Sequence, residues 1–95
     1  TLVVDLVLRG ARSLKDRRSP LRALQQRLRN GGFAVSQVGP AGLHQRVFLA
    51  IAVVAGSESG ADELLDAAER VLYASDFEVG LQTRDVRVDT FASGS

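Results

Sequence analysis

Leu43-His-Gln-Arg-Val-Phe-Leu-Ala-Ile-Ala-Val-Val-Ala55 is the stretch that decides the fold. Its odd positions Val47, Leu49, Ile51 and Val53 are β-branched or aliphatic, so an extended strand here carries one continuous apolar face. The even positions, His44, Arg46, Phe48, Ala50, Ala52 and Val54, are mixed, as expected of a strand covered on one side only. Val47 to Ala55 is also the longest apolar run, nine residues, where a membrane-spanning helix needs about 20. No membrane partner is expected.

Upstream, Gly39-Pro-Ala-Gly42 predicts a turn, and Phe33 to Val38 a short alternating strand before it. Near the amino end, Leu2, Val4, Leu6 and Leu8 form the apolar face of a first strand, with Val3, Asp5, Val7 and Arg9 on its mixed face. Between these strands, Leu21, Leu24 and Leu28 recur at helical spacing. Two helix starts compete. Ser13-Leu-Lys-Asp16 reads as a capping box, and Ser19-Pro20 places Pro at a first helical position. A helix begun at Ser13 would hold Pro20 in its interior at about 3 kcal/mol and would put Arg17 on the leucine face. The reading adopted is a turn over 13–17 and a helix from Pro20 to Asn30, ended by left-handed Gly31-Gly32.

Downstream, Ala61, Leu64, Leu65, Ala68, Val71 and Leu72 mark a second helix over 61–75. Ser59 and Asp62 are its expected capping box, and Asp62, Glu63, Asp66 and Glu69 are read as a solvated polar side. Glu78 to Phe91 predicts a last strand, bent or bulged at Arg84-Asp85, with Ala92 to Ser95 a frayed tail. The order is β-α-β-β-α-β, an α+β ferredoxin-like split βαβ sandwich with a four-stranded antiparallel sheet and two helices on one face. At 95 residues a single domain over 1–95 is expected. Without cysteine there is no disulfide framework and no thiolate site, which suits a cytoplasmic home. The chain opens at Thr1 with no charged segment leading an apolar one, so no signal peptide is expected, and the missing Met suggests a trimmed start.

A net charge of +1 conceals a division. Residues 1–48 carry nine cations against Asp5 and Asp16, a balance of +7; residues 49–95 carry three against nine acids, a balance of −6. In the split βαβ arrangement the first strand ends, the first helix begins and the third strand starts at one edge, so Arg9, Arg12, Lys15 and Arg46 should converge there. A helix amino terminus favours anions at the same place. If the helical path continues upstream, Lys15, Arg18, Arg22 and Arg29 share one stripe.

The sheet face left open by the helices would carry Val3, Asp5 and Val7 beside Phe48, Ala50 and Ala52, much of it apolar. Twofold self-association through this face follows as an expectation, with Asp5 and Arg46 a candidate buried pair.

No catalytic constellation is legible in the sequence. His44 is the sole histidine, which leaves no multi-histidine metal site and no histidine relay. No serine sits in a Gly-x-Ser-x-Gly elbow, and the dinucleotide and P-loop glycine patterns are missing. No cofactor is expected. RNA recognition of the aromatic-platform kind needs two stacking rings on the central strands, and only Phe48 is present. The arginine–asparagine signature of an acylphosphatase, a fold relative, is not visible.

Arg12-Ser-Leu-Lys-Asp-Arg-Arg-Ser19, Leu24-Gln-Gln-Arg-Leu-Arg-Asn30, and Leu43-His-Gln-Arg46 running into Ala50-Ile-Ala-Val-Val54 resemble the YlxP-like family (domain of unknown function 503). The likeness spans nearly the whole chain; His44 departs from it, standing where the family often has Trp. The resemblance implies a bacterial cytoplasmic protein of ferredoxin-like fold, and a family encoded among translation factors suggests a role near RNA or the ribosome. It supplies no catalytic residues. Its matching polar positions are Ser13, Lys15, Arg17, Arg18, Gln45 and Arg46. Together with Arg9, Arg12 and Arg22 they form the expected anion- or RNA-binding set of a non-enzymatic accessory factor, the alternative being a dimeric module that senses a small anionic metabolite.

Overall fold

Alternation in the sequence becomes burial in the computed structural model, which describes residues 1–40, 43 and 45–88. The elements are β1 (Leu2–Val7), α1 (Leu14–Asn30), β2 (Ala34–Val38), β3 (Arg46–Ala52), α2 (Glu58–Tyr73) and β4 (Glu78–Arg84). The strands form one antiparallel sheet in the order β2-β3-β1-β4, with both helices on one face: the ferredoxin-like α+β fold. Leu2, Val4 and Leu6 of β1 and Val47, Leu49 and Ile51 of β3 are completely buried under Leu24 and Leu28 of α1 and Leu65, Ala68 and Leu72 of α2. α1 lies over β2 and α2 over β4, so each helix takes one half of the sheet.

The central strand is shorter than the 43–55 expected, because pairing stops where partners stop. Val7 faces Arg46 and Leu2 faces Ile51, while Ala34 of β2 faces Ala52. The last strand is limited likewise: Arg84 faces Leu2, and past it only a reciprocal Thr1–Asp85 backbone contact remains. The extension to Phe91, the tail at 92–95, part of the 39–42 turn and His44 lie outside the described residues.

The irregularity in β4 sits at Gly80-Leu81 opposite Asp5, where the register shifts by one residue, rather than at Arg84-Asp85. Glycine suits this position, since a Cβ on Gly80 would stand 3.1 Å from the Asp5 carbonyl oxygen and 3.3 Å from its carboxylate. The cap of α2 is also corrected. Ser57, not Ser59, accepts the Gly60 amide (3.0 Å), so the helix starts at Glu58, three residues before the expected Ala61.

α1 is a single helix from Leu14, and the expected turn over 13–17 with a start at Pro20 is overturned. Ser13 is the N-cap, its Oγ accepting the Asp16 amide (3.2 Å), while Asp16 reaches back to the Arg12 amide (2.9 Å) instead of closing a strict capping box. At the far end only Gly32 takes a left-handed φ, +92°; Gly31 stays near the helical range. Both objections to one helix, Pro20 in its interior and Arg17 on the leucine face, describe what is present. Arg17 supplies the compensation: its guanidinium crosses the core edge and donates to the carbonyls of Leu43 and Arg46, 2.7 Å each. The proline still removes one helical hydrogen bond, so Pro20→Ala is expected to stabilise the fold by about 1–3 kcal/mol in chemical denaturation.

Candidate functional site

β1, the 8–12 segment and the approach to β3 are tied together at one end of the sheet. The Leu8 amide donates to the Gln45 carbonyl (2.7 Å), and Gln45 Nε2 donates to the Ala11 carbonyl (3.3 Å). The expected convergence of the chain is therefore present, and Gln45 serves as its backbone tie. The cations at this end have separate fates.

Arg17 is only 6% exposed, with its Nη1 on the two carbonyls, so it is a clamp inside the protein and not the ligand-facing residue expected. Arg9 is solvent-exposed but its Nε meets Glu78 at 2.6 Å, and that hydrogen bond, with the attraction behind it, raises the guanidinium pKa above its ordinary range. Arg46 leans on Asp5, Nε to Oδ1 3.2 Å. Asp16 sets a carboxylate in the first turn of α1, where it accepts the Arg12 amide and disfavours an anion at the helix start.

Arg12, Lys15, Arg18 and Arg22 remain. All four are exposed, and among the described residues none makes an ion pair. Arg29, a member of the stripe outside the expected set, is exposed and unpaired among the described residues in the same way. At about 100° and 1.5 Å per residue, Lys15, Arg18, Arg22 and Arg29 fall within about 60° of the helix circumference and extend about 21 Å along it. On the opposite flank, Pro20, Ala23 and Arg27 meet Ala74, Ser75 and Asp76 across a crevice of about 90 Å³ at the end of α2. The basic stripe thus faces away from α2, along the β2 edge of the sheet.

The acids gather at the other edge. Arg84 of β4 draws Asp62 (3.4 Å), Asp66 (3.0 Å) and Glu69 (3.0 Å) of α2 around one guanidinium. Its burial pulls the guanidinium pKa down, and hydrogen bonds to Asp66 and Glu69 outweigh that, leaving it above the ordinary range. These acids are therefore a structural clasp rather than the free solvated row expected. Their spacing of four and three residues is the signal that could have announced it. Glu78, the partner of Arg9, had no comparable signal, because it is 69 residues away.

The expected interface residues do share the open face. Val3 stands beside Ala50, Asp5 beside Phe48 and Val7 beside Arg46, with Ala52 further along β3. A separate cavity of about 400 Å³ lies at the opposite end, lined by Thr1, Ser57, Glu58, Asp85 and Arg87 among others, so it does not coincide with the basic stripe.

The family model described as protein of unknown function (DUF503) matches residues 1–84. The chain belongs to this family. Of the motif positions that carry the resemblance in this DUF503 protein, Ser13 caps α1, Arg17 and Gln45 fasten the β3 approach, and Lys15 and Arg18 face solvent. No curated protein and no solved structure matches the chain. No helix among the described residues is long and apolar enough to cross a membrane.

Proposed function

We propose that this DUF503 protein is a non-enzymatic accessory factor that binds RNA, on or near the ribosome, through phosphate contacts from the outer flank of α1. The observation that carries the reading is the contrast between paired and unpaired cations. Arg9, Arg17, Arg46 and Arg84 are engaged within the fold, whereas Arg12, Lys15, Arg18, Arg22 and Arg29 stand exposed with no described counter-ion, the last four on one flank of α1. A row of unneutralised charge about 21 Å long suits a phosphate backbone better than a small anion, which one pocket would serve.

Five phosphate contacts release counterions, so log K should fall against log salt with a slope between about −3.5 and −4.5, single strand to duplex. Between 50 and 200 mM salt this amounts to a loss of affinity of roughly one hundred- to five hundredfold. Fluorescence titration of labelled RNA, with co-sedimentation on ribosomal subunits at low and high salt, measures it. A salt-independent affinity, or no RNA binding at low salt, refutes the reading.

A further inference from the structure

Both helices cover the same side of the sheet, and its other side is not covered by any described element. Its small positions are Ser36 on the edge strand β2, Ala50 and Ala52 on β3, and Gly80, which has no side chain; Val3, Val7 and Phe48 stand among them. Short side chains let a second sheet approach to the usual separation of about 10 Å. Leu81, at the bulge, is 85% exposed, and Val3 and Val38 are also large exposed apolar residues.

Charge identifies the occupant. Near the centre lies one carboxylate, Asp5, beside one guanidinium, Arg46. The Asp5 side chain is only 17% exposed, and its Oδ1 is buried without a hydrogen-bond donor, since Arg46 Nε approaches to 3.2 Å off the bonding direction. The Arg46 side chain is half in solvent, with further guanidinium donors beyond the Nε that leans on Asp5. A partner of one charge sign would satisfy half of this patch and repel the other half. A second copy turned by a twofold axis brings acid to base twice over, because such an axis makes any plus–minus pair complementary to itself.

We infer that the open sheet face is a homodimer interface in which two copies stack sheet to sheet, Arg46 of each bridging its own Asp5 and the Asp5 of the other copy. Four strands at about 4.8 Å and six residues at about 3.3 Å give a footprint of about 400 Å² per copy. Doubled, this comes to about 800 Å², below the roughly 1,000 Å² of a stable specific interface and in the range of weak, transient contacts. The dimer is therefore weak and concentration-dependent.

Sedimentation velocity of the intact chain from about 1 to about 300 µM tests it without RNA. The expected result is a concentration-dependent passage from monomer to dimer, with A50R weakening association at least about tenfold at an unchanged melting temperature. Ala50 points away from the core, so the fold should tolerate the change; S36R on the neighbouring strand repeats the test should A50R fail to fold. A chain that stays monomeric to about 300 µM overturns the inference and leaves the face to a different protein. Dimers that persist in both variants overturn it as well, by placing the contact elsewhere.

Discussion

Arg17→Ala should lower folding stability by about 3 kcal/mol, read as a fall in melting temperature of roughly 12–24 °C for a domain of this size. Few single changes at an arginine would be so costly. The guanidinium holds the carbonyls of Leu43 and Arg46, and its stem occupies the leucine face of α1 beside Leu21, Leu24 and Leu28. Truncation strands two acceptors at the edge of the core and opens a gap, two independent penalties. Arg17→Leu should restore only the packing and recover less than half of the loss. Both bonds come from Nη1 alone, so Arg17→Lys keeps a charged donor on a shorter side chain and should fall between them. Chemical denaturation of the three variants checks the order. Folded Arg17→Lys protein should bind RNA as the parent does; reduced RNA affinity at unchanged stability would make Arg17 a ligand contact and refute the clamp.

The second large effect is on binding. Arg18→Glu/Arg22→Glu should abolish RNA association, weakening it on the order of a hundredfold or more at low salt and flattening the salt slope by at least about two units. Both side chains are exposed and unpaired among the described residues, so the melting temperature should hardly change. A single reversal on the far flank, Arg27→Glu, should cost less than Arg18→Glu or Arg22→Glu alone, because that residue faces the end of α2. Loss of affinity in Arg27→Glu as great as in the double variant would show that the stripe has no directional role. The size of the contrast matters, since any basic protein loses some RNA affinity when cations are removed.

These two expectations rest on different kinds of information. The order of elements and the apolar face of each strand follow from local backbone geometry: a strand alternates and a helix turns in 3.6 residues, so neighbours in sequence report their own burial. Leu2, Val4, Leu6, Val47, Leu49 and Ile51 were legible for that reason, and so was the charge division between the two halves. Limits of elements were less legible. β3 and β4 end where β1 ends, and that depends on a partner distant in the chain.

The fate of each charge was decided by tertiary structure alone. Arg9 and Arg12 look alike in sequence, yet β4 delivers Glu78 to the first and no described acid pairs with the second. Arg17 and Arg18 are adjacent, and one turn step of about 100° sends the first among the leucines and the second into solvent. Hydrogen bonds and ion pairs act over about 3–4 Å, a distance set by which residues the completed fold brings together. By itself, then, the sequence determined a ferredoxin-like sheet with a cationic first half. Folding chose which of those cations are spent holding the chain together and which are left facing outward.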